Sequence, residues 1–75
     1  MSAMTEMQWL GMFSDNLTYL LAKADMTQRE LADACGMSES TVSKYVNGHQ
    51  MPNGIAITKL ANALDCSVSE LIDFE

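Results

Sequence analysis

The sequence predicts an all-α fold, five short helices packed as a compact bundle. Apolar residues recur at steps of three and four, and no stretch alternates apolar and polar residues over more than a few positions. A serine, threonine or asparagine stands before each apolar ladder, and Gly36 and Asn47-Gly48 close two of them. These are helix starts and stops rather than strand and hairpin signals.

Leu10, Phe13, Leu17, Leu20, Leu21 and Ala24 form one apolar stripe along a first helix. Thr5 with Gln8 makes a capping box at its start, with a later start near Ser14 as the alternative. Thr27-Gln28-Arg29-Glu30 is a second capping box, and Leu31, Ala34 and Cys35 give the helix behind it a short apolar face. Gly36 ends that helix, because it takes a left-handed backbone without strain. Only Met37 separates Gly36 from Ser38, the N-cap of a third helix that carries Val42, Tyr45 and Val46. Asn53, after Pro52, caps a fourth helix with the ladder Ile57, Leu60, Ala61 and Leu64. Ser67-Val68-Ser69-Glu70 opens a fifth, which buries Leu71 and Phe74.

Length and composition exclude several classes. A chain of 75 residues is read as one domain, 1–75, with 1–7 a flexible or partly helical leader. At this size folding buries only about 60% of the unfolded surface, so the core is small. With 48% hydrophobic residues the chain is too apolar for disorder. No apolar run approaches the roughly 20 residues that span a bilayer, and no signal peptide is visible. Cys35 and Cys66 are too few for a disulfide scaffold and lack metal-ligand spacing, so both are read as buried free thiols in a reducing cytoplasm. Ten acidic against four basic side chains leave a net charge of −6. Taken alone, that balance argues against nucleic-acid binding.

The informative unit is TQRELADACGMSESTVSKYVNG, residues 27–48. Two helices of about eight residues meet at a tight glycine turn, the pattern of a helix-turn-helix motif whose second helix enters the DNA major groove. Ala32 is small where the helices approach, Gly36 makes the turn, and Val42 fills the space between them. The face left at the start of the third helix, Glu39, Ser40, Thr41, Ser43 and Lys44, is short and polar enough to pass between phosphates to base edges.

From Leu17 to Leu71 the chain resembles the lambda-repressor-like, Cro/repressor-type helix-turn-helix domains, also called the xenobiotic-response-element family. MTQRELADACGMS, STVSKYVNG, Pro52 and ITKLANALDCSVSELI carry the likeness in the family's order and spacing. The resemblance implies a five-helix layout and binding of double-stranded DNA. It assigns Gln28 to a phosphate contact that also buttresses a base-reading side chain, and Glu39, Ser40 and Lys44 to base reading. Ser38, Thr41 and Ser43 lie beside these, placed to reach phosphates or bases, and Asn47, with Gly48 and Gln50, matches a loop that offers side-chain and backbone donors to phosphate. Lys44 suits guanine acceptors, whereas Glu39 accepts from a cytosine amine and repels phosphate. Many relatives pair an arginine late in the first helix with a glutamate late in the third. Leu21 and Val46 stand there in this chain, a swap of a buried ion pair for packed apolar groups that is often neutral or stabilising. Residues 1–7 hold no lysine or arginine, so the basic arm of some relatives is missing.

Plainer readings stand beside these. Residues 39–44 also fit a solvated helix face, and Gln28 an indifferent surface position. His49 lacks a partner histidine or a suitably spaced cysteine, so it is assigned to DNA phosphate or solvent, with no metal and no cofactor expected. Met26 and Met37 precede helix starts as core residues, while Met4, Met7, Trp9 and Met12 either pack on the bundle or form a dimer contact. No nucleophile motif or glycine-rich phosphate loop appears, so no enzyme is expected. The function expected is a sequence-specific transcriptional regulator, a repressor that binds an inverted-repeat operator as a homodimer. By the family's habit the fifth helix, with Leu71, Ile72 and Phe74, is the dimer surface, with the Trp9 region second. The alternative is a protein-binding module, such as an antitoxin-like partner. The charge excess does not decide against DNA. Glu6, Asp15, Asp65, Glu70, Asp73 and Glu75 lie in the two ends, while Asp25, Glu30, Asp33 and Glu39 are balanced by Lys23, Arg29, Lys44 and Lys59.

Overall fold

The computed structural model describes residues 3–73. They form α1 (Glu6–Ala24), α2 (Gln28–Cys35), α3 (Glu39–Val46), α4 (Gly54–Ala63) and α5 (Val68–Ile72), with no strand among the described residues. Phe74, expected on the apolar side of α5, lies outside them, as does part of the leader.

Each helix starts on its expected cap. Thr5 and Gln8 close a reciprocal box, which places the start of α1 at Glu6 rather than near Ser14. Thr27 and Glu30 do the same for α2 at 3.0 and 2.9 Å. Ser38 and Asn53 accept from the amides of Thr41 and Ala56. At α5 only half a box forms. Ser67 accepts from the Glu70 amide, but the Glu70 carboxylate meets the Ser67 hydroxyl instead of closing the box on the Ser67 amide.

α2 packs on α3 and α4, α1 on α3 and α5, and α4 on α5. Phe13, Leu17, Leu31, Val42, Leu60 and Leu71 are the largest fully buried side chains, one or two from every helix. Phe13 stacks on Trp9 at 5.2 Å between ring centres and meets Tyr45 of α3 edge-on at 6.4 Å. The stripe of α1 is buried only as far as Leu21, and Ala24 is exposed. On α2 the buried face is Leu31, Ala32 and Cys35, with Ala34 exposed. The cause is that α2 is wedged between α3 and α4, which turns the centre of its face toward Ala32.

Two turns use aspartate where glycine is the strain-free residue. Asp25 and Asp65 follow α1 and α4 at φ 56° and 54°. An L side chain loses about 1–2 kcal/mol in that conformation, and a carboxylate opposes the negative end of the preceding helix. Asp25→Gly removes both penalties and adds back unfolded-chain entropy. A net gain of about 0.5 kcal/mol follows, a rise in Tm of roughly 2–4 °C by calorimetry.

Both cysteines are free, Cys35 buried and Cys66 only half-buried. Cys35 Sγ points to the Lys59 carbonyl at 3.6 Å. Burial raises both thiols above their ordinary 9.0; nearby Lys59 partly offsets this at Cys35, while Glu70 and Asp65 add to it at Cys66. A raised folded-state value means the thiols favour the fold fully below pH 9, and that contribution disappears as pH climbs through the folded values. Melting curves should therefore fall more steeply above pH 9 for the native chain than for Cys35→Ala/Cys66→Ala.

Candidate nucleic-acid interface

The geometry of the candidate face follows from how α3 is held. Val42 and Tyr45 are buried, at 0% and 5% exposure, and Val46 packs against the core from the same side. The opposite side is left to solvent. Glu39, Ser40 and Lys44 are exposed there, with Ser43 half-buried between them. Residues 40, 43, 44 and 47 follow at helical steps and form one stripe. Residues 36–38 join α2 to α3, with Gly36 at φ +69° and its amide on the Ala32 and Asp33 carbonyls. The half-buried Met37 continues that tie through its amide on the Ala32 carbonyl at 3.0 Å.

None of the ten candidate residues is buried. Ser38, Glu39, Ser40, Lys44, Asn47, His49 and Gln50 are exposed, and Gln28, Thr41 and Ser43 are half-buried. They divide by what their side chains already hold. Ser38 caps α3 and shares a hydrogen bond with the Thr41 hydroxyl at 2.8 Å, so this pair secures the start of the helix. The Asn47 amide donates to the Ser43 carbonyl at 2.8 Å and to its hydroxyl at 3.3 Å, which secures the end. Gln28, Glu39, Ser40, Lys44, His49 and Gln50 form no side-chain hydrogen bond to another described residue. Those six are available to a ligand without first giving up a contact. The structure does not bond Gln28 to any α3 side chain, so the buttress is not preassembled.

Two polar residues of α1 to which the sequence assigned no bonding role tie α1 to its neighbours, one to this unit and one to α5. The Ser14 hydroxyl donates to the Val46 carbonyl, the last of α3. The Asn16 amide donates to the Leu71 and Asp73 carbonyls at 2.9 and 3.3 Å, and so holds the end of α5. Gly48, at φ +70°, lies against α1, where an added Cβ would stand 3.5 Å from the Leu10 carbonyl and 3.7 Å from Ser14 Cβ. The available signal was polarity in the wrong place. Ser14 sits four residues from Leu10 and three from Leu17, on the apolar stripe itself.

Among the described residues no helix is long and apolar enough to cross a membrane, and no cluster of three or more His, Cys, Asp or Glu side chains could hold a metal ion. Two short capped helices about a glycine turn, the second offering a small polar face, define a helix-turn-helix DNA-binding regulator.

Comparison with known proteins agrees with that class. The family described as helix-turn-helix matches residues 17–71, and the chain belongs to it, in its lambda-repressor-like form. The crystal structure of the restriction-modification controller protein C.AhdI from Aeromonas hydrophila is similar, with a TM-score of 0.80 and 32% sequence identity. The match covers 83% of this chain and 94% of that one. No curated protein sequence matches the chain.

Proposed function

We propose that this regulator recognises a specific DNA sequence through α3 and acts as a homodimer on an inverted-repeat operator. The observation that carries the reading is the exposed Glu39, Ser40 and Lys44 face on a helix whose other side is locked into the core. Lys44 reads guanine acceptors, Glu39 selects for cytosine amines, and Ser40 adapts to either. Gln28, His49 and Gln50 take phosphate, and the Ser38–Thr41 and Ser43–Asn47 pairs keep the helix ends in register for them.

One such helix covers only a few base pairs, so affinity has to come from two copies. Tyr19 on α1 and Val68 and Ile72 on α5, at 64%, 38% and 37% exposure, leave apolar surface on two helices that pack together. That supports α5 and the adjoining edge of α1 as the dimer surface. In a reducing cytoplasm the dimer acts as a repressor by occupying its operator, without cofactor, metal or enzymatic step. A controller role of the kind named for C.AhdI fits the same binding mode.

Selection of bound duplexes from a random 30-base-pair pool tests this reading. It should enrich two inverted half-sites centred about 10 base pairs apart. Failure to enrich any sequence would overturn it in favour of a protein-binding module, the reading that the net charge of −6 otherwise recommends.

A further inference from the structure

We infer that Ser14 is a positioning residue for DNA reading, the latch by which α1 sets the angle and end of the recognition helix. The inference rests on the proposed reading role of α3 and adds to it a residue outside the matched span of 17–71.

The last carbonyls of any helix lack intrahelical partners. At the end of α3 most are taken within the chain segment itself: the Asn47, Gly48 and His49 amides bond Ser43, Tyr45 and Lys44. The Val46 carbonyl is instead met from α1, by the Ser14 hydroxyl. The contact is long-range, 32 residues apart, and part-buried, so water is a poor substitute for it. An independent observation places the same turn against the same site. A Cβ added at Gly48 would make ordinary contact with the Leu10 carbonyl and Ser14 Cβ, at 3.5 and 3.7 Å, and Gly48 holds a left-handed conformation that a side chain would strain. The Leu21 and Val46 side chains are apolar and offer the helix no directional bond. Ser14 supplies the direction. Through Val46 it fixes the final turn of α3, and Lys44 lies two residues earlier on that turn.

Asn16 is the built-in comparison. It sits two residues further along α1 and holds the Leu71 and Asp73 carbonyls of α5 rather than α3. Loss of either bond loosens the bundle, but only loss of the Ser14 bond should loosen the reading helix.

The test uses the full chain, the duplex that the native chain selects from a random pool, and a scrambled duplex of the same length. Ser14→Ala should bind the selected duplex about tenfold more weakly, the loss that about 1.4 kcal/mol represents, and change scrambled-duplex binding less than about twofold. Without DNA, the Asn47, Gly48 and His49 amides should exchange at least about tenfold faster in Ser14→Ala, with the Asp73 amide unchanged. Asn16→Ala should show the reverse pattern. Equal loss on both duplexes, or unchanged exchange at 47–49, would overturn the positioning role. If the native chain itself selects no sequence, the DNA reading fails, and the exchange pattern still decides whether the latch exists.

Discussion

Lys44→Ala should weaken operator binding by at least an order of magnitude while leaving the fold intact. The side chain is exposed and bonded to no described residue, and the helix is held by Val42 and Tyr45 from its other side. Stability should therefore change by no more than about 0.5 kcal/mol, the usual range for an exposed position. Binding is a different matter. A direct contact to guanine is worth about 1–3 kcal/mol of discrimination, and in a dimer it is lost twice. The expected weakening is thus roughly 30-fold to more than 10³-fold, with relaxed preference at one base pair in each half-site. A lysine that only neutralised phosphate would weaken all sequences alike and lower the salt dependence by about one unit. Anisotropy titrations on duplexes varied at that position separate the two. Unchanged binding would show that α3 is not the reading element.

The second large effect concerns the core. Phe13 has no solvent exposure and joins Trp9 to Tyr45, so one ring links the first turn of α1 to α3. Phe13→Ala removes a buried aromatic side chain and should cost about 3–5 kcal/mol. A chain of this length has total stability of only about 4–11 kcal/mol, at about 0.05–0.15 kcal/mol per residue. The variant should be close to unfolded or lose a large part of its urea midpoint. Phe13→Leu, nearer in volume, should lose less than about 2 kcal/mol. Circular dichroism suits the comparison, because the substitution also changes the surroundings of Trp9, the one tryptophan of the chain.

The contrast between those residues shows what a sequence of this kind reveals. Caps are local, so Thr5, Thr27, Ser38, Asn53 and Ser67 could be placed from spacing alone. The polar face of α3 was equally legible, since the positions left over once Val42 and Tyr45 turn inward have to face out. Periodicity fails where a helix packs against two neighbours at once. Ala34 fits the step from Leu31, yet the wedge between α3 and α4 leaves it exposed and buries Ala32, the small residue that the motif placed where the helices approach. Ser14 and Asn16 were missed for another reason. Their partners are backbone carbonyls 32 and 55 residues away, so a polar residue on the apolar stripe of α1 marks a bonded position without naming what it bonds.

The acidity of the chain takes on a definite meaning in this light. Six acids lie outside residues 16–64, and within that segment four acids meet four bases. Few phosphates can be neutralised by such a surface, so background DNA binding should be weak and its salt dependence shallow. In the proposed dimer, specificity then depends on base contacts from two copies of α3.

The most direct test is a titration of the full chain against a selected and a scrambled duplex, each at about 50 and 200 mM salt. Sequence-specific reading predicts binding to the selected duplex at least about 10³-fold tighter than to the scrambled one. The scrambled duplex should bind weakly and respond only slightly to salt. Equal affinity for the two duplexes, or no binding of either at low salt, would contradict it.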